Sequence, residues 1–326
     1  MNLTEQKWPM WFENAAENLQ YSRKGLDIAT LPKRKGPAIV VGGGPSVYQY
    51  DHLSLLAKYR DKIPTIISTD KMLKPLIGRG CTPDLVCTID GDPMISDYYK
   101  LHSDERGAKV ATVLNVVTTS PLTLKAAMEN LTGGIYWYTH LFDDPTDERC
   151  EKCNRLSVTA ASYFWCGKKT ILQAAGNVGA FCWSLANFLE CDPIILVGMD
   201  FGYLAGTPLE KTIYYDALLK QHTLNHLAKI LPTKEWQALT QPKIEEHAHH
   251  CKICHYSLTS SYQERENPDF HNRYLIDVMF EAYRTMLMPG IKAAGITTIN
   301  ATGGGALHGT PIVGMDLETA IGRYCN

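Results

Sequence analysis

Two periods of hydrophobic patterning run along this chain. Short apolar runs of strand length occur at Ala38-Ile39-Val40-Val41, Thr65-Ile66-Ile67-Ser68, Leu85-Val86-Cys87-Thr88-Ile89, Val110–Leu114, Ile135–Tyr138 and Pro193–Val197. Such runs suit strands buried on both faces. Between them, Tyr48–Tyr59, Lys71–Arg79, Leu122–Leu131 and Gly179–Leu189 carry apolar residues at helical spacing. Strands alternating with helices imply βαβ units. The predicted class is α/β, a Rossmann-like doubly wound, mostly parallel sheet.

The two ends of this pattern differ from its middle. Residues 5–34 predict an amphipathic helix or helix pair, with Trp8, Trp11, Phe12, Leu19 and Leu26 as its apolar points, before a linker at Leu31–Pro37. Region 206–290 predicts helices at Lys211–Leu231 and Asp269–Leu287, around an irregular, polar, Cys/His-rich stretch at 232–268. Strand character returns at Ile296–Ile299. The expected organisation is an N-terminal helical segment (1–35), a nucleotide-binding core (36–205), a helical insertion or lid (206–290) and a C-terminal return to the core (291–326). No internal repeat is evident, and the second Val-Gly-Met-Asp at 313–316 is read as chance.

Composition narrows the function classes. Of 326 residues, 20% are charged and 45% hydrophobic, with a formal net charge of −2. A chain without a basic field does not attract a nucleic-acid backbone, although a small nucleotide is unaffected by this argument. No apolar stretch reaches the about 18 residues of a membrane span. The first twenty residues include Glu5, Lys7, Glu13 and Glu17 and lack the apolar core of a signal peptide. A cytoplasmic protein is expected, with its ten cysteines as thiols or metal ligands.

Five motifs carry chemistry. The turn Gly42-Gly43-Gly44-Pro45-Ser46 follows a strand and precedes a helix. Glycines permit close approach of a ligand, and a helix N-terminus offers free N–H groups to a phosphate. Neither the dinucleotide fingerprint nor the P-loop spacing is present. Asp70, Asp90, Asp92 and Asp200 each follow a strand, so in a parallel sheet all four carboxylates could converge on that turn as Mg²⁺ ligands, ribose contacts or a base. The alternative for each is a helix cap or turn residue, and the Asp90-Gly91-Asp92-Pro93 context favours it more for Asp92 than for Asp90. Gly176-Asn177 opens another helix, and Asn177 can cap it or bond a base or sugar. The loop Asn300–Gly309, with Thr302, Gly303 and Gly304, can close over a ligand or be a surface turn, and its His308 is a candidate acid or base. Finally, Cys150-x-x-Cys153 and Cys251-x-x-Cys254, the second crowded by His247, His249, His250 and His255, have the paired spacing of a tetrahedral structural Zn²⁺ site, a redox-active pair or unrelated thiols being the alternatives.

The order Trp11-Phe12-x-Asn14-x-x-x-Asn18-Leu19, the glycine turn, Thr69-Asp70, Pro83-Asp84-Leu85-Val86 leading to Asp90, Gly176-Asn177-Val178, Val197-Gly198-Met199-Asp200 and Asn300-Ala301-Thr302 resembles the motility-associated factor glycosyltransferases. The likeness covers about residues 11–205 and 290–312. It implies transfer of a nonulosonic, sialic-acid-like sugar from a CMP donor to a protein or glycan acceptor. The same core domain is shared with the 6-hydroxymethylpterin diphosphokinase, which uses ATP and Mg²⁺. On the first reading Gly43, Gly44 and Ser46 hold the donor phosphate, Asp70 and Asn177 orient the nucleoside or sugar, and Asp90 or His308 assists proton transfer. On the second, Asp90, Asp92 and Asp200 hold Mg²⁺. A non-catalytic nucleotide-binding protein, with the Cys/His segment as a partner surface, is the third. A homo-oligomer is compatible with all three. The Cys/His-rich segment belongs to neither family pattern.

Overall fold

The strands are β1 (Leu26–Asp27), β2 (Ala38–Val41), β3 (Thr65–Thr69), β4 (Leu85–Cys87), β5 (Ala111–Asn115), β6 (Ile135–His140), β7 (Ile171–Leu172), β8 (Ile194–Val197), β9 (Tyr203–Leu204), β10 (Tyr262–Asn267), β11 (Asn272–Asp277), β12 (Thr298–Asn300) and β13 (Ile312–Gly314). They come from a computed structural model that describes residues 3–143, 157–233, 235 and 238–325. Ten strands form one sheet in the order β1-β6-β5-β4-β3-β2-β8-β12-β13, with β7 beside β6. Every pairing in it is parallel. The predicted doubly wound α/β architecture is therefore present.

The strand residues alternate between two cores because successive side chains point to opposite faces. Ala38 and Val40 pack with Ile67, Phe181 and Leu185 on one face. Ile39 and Val41 pack with Ile66, Leu53, Met72, Leu317 and Ile321 on the other. Helix Val178–Phe188 thus covers the first face, and helices His52–Lys58, Asp70–Ile77 and Leu317–Tyr324 cover the second. Phe181 stacks on Tyr138 of β6 with ring centroids 4.2 Å apart.

Four expectations are corrected. Residues 5–34 are not helical throughout. Helix Leu3–Lys24 is followed by β1, which joins the sheet edge beside β6. The helix expected at Tyr48–Tyr59 is split into Ser46–Gln49 and His52–Lys58, because Asp51 takes a left-handed conformation at φ 47. Stretch 232–268 is not irregular: it holds helices Gln241–His250 and Lys252–Thr259 and strand β10. β11 occupies the first part of the helix predicted at Asp269–Leu287, and that helix begins instead at Val278, where Asp277 Oδ1 accepts from the Met279 and Phe280 amides at 2.9 and 2.8 Å. β10 shows no strand pattern in the sequence because only its Tyr262 and Asn267 are buried, and the apolar stretch of the hairpin is confined to Tyr274-Leu275-Ile276 of β11.

The small antiparallel sheet β10-β11-β9 joins helix Tyr215–Ile230 and the two short helices around a separate core of Tyr203, Leu218, Leu258, Tyr262 and Leu275. At the other end, the N-terminal helix is bolted to the core by amides. Asn14 Nδ2 donates to the Gly91 and Thr118 carbonyls at 3.1 and 2.9 Å, and Asn18 Nδ2 to the Thr119 carbonyl at 2.7 Å. Among the described residues no helix is long and apolar enough to cross a membrane.

Candidate functional site

The chain runs outward from β2 through β3, β4 and β5 to β6, then returns as β8 on the other side of β2. The order therefore reverses between β2 and β8, and open α/β sheets bind ligands at the carboxyl ends of the strands beside such a switch. The turn after β2 and the turn after β8 meet at this point. Their contact is close. A Cβ on Gly42 would lie 2.5 Å from the Gly198 carbonyl oxygen, and one on Gly44 would lie 2.0 Å from Asp200 Oδ2. The Gly42 and Gly44 amides donate to the Val197 and Gly198 carbonyls at 2.8 and 2.9 Å.

Two of the three glycines are thus required by the neighbouring backbone, and their N–H groups are spent on it. Gly43 differs: the three atoms nearest its would-be Cβ all belong to the Lys71 side chain, with Cδ at 3.0 Å. The helix after the turn has only four residues, so its dipole is weak. Pro45 occupies its N-cap without a side-chain bond, and Ser46 does not cap. Instead Ser46 Oγ donates to Asp200 Oδ2 at 2.8 Å. Both side chains are buried, and burial pushes the Asp200 carboxyl up to about 7 against the pull of the Ser46 hydroxyl and amide.

The four acidic residues do not all converge. Asp70 begins the helix after β3 and is buried. Burial raises its carboxyl to about 6, the Thr88 hydroxyl and Lys71 amide oppose this, and the charge of Asp90 adds to it. Asp90 is half-exposed and pairs with Lys7 of the N-terminal helix at 3.3 Å. Asp92 is turned to solvent, where it caps the next turn by accepting from the Met94 amide at 2.9 Å. Asp70 and Asp90 therefore form one electrostatic unit, Asp200 with Ser46 another, and Asp92 belongs to neither. Thr69 is buried, its hydroxyl 3.4 Å from the Val41 carbonyl. Lys71 was missed by the sequence reading. Its signal was a cation directly after a strand-end Asp, at the first turn of a helix.

Asn177 caps helix Val178–Phe188 through Oδ1, which accepts from the Ala180 amide at 2.9 Å. Its Nδ2 is buried with no hydrogen-bond partner. Gly176 takes φ +85 and lies under the Tyr283 ring. In the late loop, Thr302 is fully buried, and its hydroxyl bonds Asn300 Oδ1 and the Gly304 carbonyl at 2.7 Å each, so it builds the loop. Gly303 lies against the Tyr50 ring, Gly304 against Asn272, and Gly305 on the Asp200 backbone. Hairpin residues hold this loop: Asn272 Nδ2 donates to the Gly303 carbonyl at 2.6 Å and Asn267 Nδ2 to the Gly305 carbonyl at 2.8 Å. His308 sits 3.3 Å from the Tyr274 hydroxyl, and burial followed by Arg284 lowers its pKa, which leaves a neutral imidazole at pH 7.

Of the predicted metal ligands, Cys150 and Cys153 lie outside the described residues. Cys251 and Cys254 are joined by two histidines the motif did not include. One ligand atom from each of His226, His247, Cys251 and Cys254 lies within 4.8 Å of the others, and this group could hold a metal ion.

Residues 11–206 match the family model described as 6-hydroxymethylpterin diphosphokinase MptE-like. Among solved structures the chain is similar to the MAf glycosyltransferase from Magnetospirillum magneticum AMB-1, with a TM-score of 0.55 and 13% sequence identity. The similarity covers 94% of this chain and 38% of that one, and at this identity it speaks for the fold. No curated protein sequence matches the chain.

Proposed function

Since the chain belongs to the 6-hydroxymethylpterin diphosphokinase MptE-like family, we propose that it is a nucleotide-dependent transferase, and specifically one that moves a nonulosonic sugar from a CMP donor to a hydroxyl of a protein or glycan acceptor. The observation that carries this reading is the Ser46–Asp200 pair at the β2/β8 switch point. With Asp200 ionised, the Ser46 hydroxyl is spent on it. With Asp200 protonated, the acid donates to Ser46 Oγ and frees the serine proton for a phosphate oxygen. A carboxyl at about 7 makes both states accessible near neutral pH.

Lys71, lying across Gly43, supplies the positive charge for the same phosphate. The unpartnered Asn177 amide is suited to an acceptor atom of the nucleoside. In the transfer, the bond between the anomeric carbon and the CMP phosphate oxygen breaks with its electron pair going to phosphate. The acceptor oxygen bonds that carbon, and its proton passes to Asp90 or to the departing phosphate. The donor's oxocarbenium-like state needs no metal. Asp70 and Asp90 place negative potential where positive charge develops.

The family description favours a second reading, a diphosphokinase with Mg²⁺ and ATP at the same turn. It places Mg²⁺ on Asp90, Asp92 and Asp200. Here Asp92 is a cap and Asp200 is bonded to Ser46. Mg²⁺ could still be held by one or two carboxylates with phosphates and waters. Ligand-induced thermal shift separates the readings. Stabilisation by CMP without Mg²⁺ is expected. Stabilisation only by ATP with Mg²⁺ would replace the first reading by the second, and no response to any nucleotide would remove both.

A further inference from the structure

We propose that His226, His247, Cys251 and Cys254 bind one structural Zn²⁺ ion, and that this ion fastens the insertion that braces the glycine loop beside Asp200. The four residues come from three helices and one junction. His226 lies on Tyr215–Ile230, His247 on Gln241–His250 and Cys254 on Lys252–Thr259, while Cys251 joins the last two. Their ligand atoms lie within 4.8 Å of one another. A tetrahedral ion with bonds of about 2.0–2.3 Å sets its ligand atoms roughly 3.3–3.8 Å apart, so small side-chain movements close the group.

A second observation points the same way. His247 Nε2 is buried and has no hydrogen-bond partner. An orphaned buried nitrogen is costly unless something binds it. Other histidines of the segment are engaged or turned away. His250 Nδ1 lies 2.8 Å from the Glu246 carbonyl, His255 Nδ1 lies 3.4 Å from the Tyr215 hydroxyl, and His249 is exposed. Two thiolates and two imidazoles suit Zn²⁺, not the hard cations Mg²⁺ and Ca²⁺. Four protein ligands fill a tetrahedron and leave no open position, which makes the site structural.

The segment also needs such a tie. Helix Gln241–His250 buries only Ile244 and Ala248. Metal binding supplies the folding free energy that so small an apolar face does not. From Cys254 the chain runs through Ser261, whose hydroxyl is 2.7 Å from His222 Nε2, into β10. β10 ends at Asn267, which holds the Gly305 carbonyl, and Gly305 rests on the Asp200 backbone. The ion thereby fixes a support of the switch-point site without touching it. This inference does not depend on which nucleotide binds there.

The test uses the full chain purified without chelators. Elemental analysis should find about one zinc per chain. His247→Gln and Cys254→Ser should each lose it, while His250→Gln and the double variant Cys150→Ser/Cys153→Ser keep it. Cobalt exchanged into the wild-type protein should give the thiolate charge-transfer and intense visible bands of a tetrahedral site. Stripping the metal from wild type should speed amide exchange in 262–277 and in 301–307. Zinc below about a tenth of an equivalent overturns the site, as does a Cys251–Cys254 disulfide in protein kept under reducing conditions. Zinc lost from the Cys150/Cys153 variant overturns the ligand set. Unchanged exchange in 301–307 overturns the coupling to the glycine loop.

Discussion

Ser46 and Asp200 are 154 positions apart in the chain, yet the serine hydroxyl donates to Asp200 Oδ2 at 2.8 Å. The bond crosses the point where the sheet reverses its order. It joins the turn after β2 to the turn after β8, and both groups are buried. An ionisable group in that position links protonation to folding and, on the proposed function, to phosphate binding.

The linkage gives a pH dependence of stability. Asp200 is raised to about 7 and Asp70 to about 6 in the fold, from 3.8 for an ordinary aspartate. The native state therefore holds more protons than the unfolded chain between about pH 4 and 7. Stability is greatest on this account below the unfolded value and falls as pH rises through the folded ones. Denaturant unfolding at pH 5.5 and pH 8 should show the decline. Asp200→Asn, which keeps an acceptor for Ser46, should flatten the slope and stabilise the protein at pH 8 by on the order of 1–3 kcal/mol. An unchanged slope in this variant would show that Asp200 is not the titrating group.

The same proton should appear in binding. If a nucleotide phosphate takes the Ser46 hydroxyl, Asp200 must hold its own proton. Calorimetry in buffers of different ionisation enthalpy should then show proton uptake on CMP binding near pH 7.5, and affinity should fall as pH rises beyond 7. Asp200→Asn should abolish the uptake.

The three glycines of the turn should separate sharply. Gly44→Ala drives a methyl to 2.0 Å from Asp200 Oδ2 and 2.7 Å from the Gly198 carbonyl oxygen. That clash includes backbone, so a loss of about 2–3 kcal/mol is expected. Gly43→Ala meets first the Lys71 side chain, which is exposed and can swing away. Its stability should change by less than about 1 kcal/mol, while nucleotide affinity drops. Thermal unfolding with and without CMP reads both effects.

Lys71→Gln should leave stability nearly unchanged, since the side chain is exposed. Nucleotide affinity should fall roughly tenfold, the scale of one charge-assisted phosphate contact, and its salt dependence should weaken. Equal affinity in the variant would remove Lys71 from the site.

Asn18→Ala tests the N-terminal helix. Asn18 is buried, and its amide is bonded to the Thr119 carbonyl at 2.7 Å. Truncation should cost about 1–3 kcal/mol in denaturant unfolding. Because Lys7 on the same helix pairs with Asp90, loosened docking should also change any pH profile governed by Asp90.

What the residues alone determined was the layered core. Runs such as Ala38–Val41 and Ile194–Val197 are apolar at every position, and only a strand covered on both faces buries them all. The same patterning placed Gly42–Ser46, Asp70, Asp90 and Asp200 after strand ends, since strand ends are local features. The hairpin β10–β11 was not legible, because its residues are mostly polar and its place is decided by partners such as Leu204 on β9. The division of the carboxylates was legible in part: the Asp-Gly-Asp-Pro context marks Asp92 as a cap, which it is, but nothing local tells that Asp200 is buried under Ser46. Lys71 over Gly43, the distant His226, and the choice of His247 among the histidines crowding Cys251 and Cys254 were hidden for the same reason. Periodicity reports which face of an element is buried. Which groups then meet depends on strand order and on packing between segments far apart in the chain, and those are set by the tertiary fold.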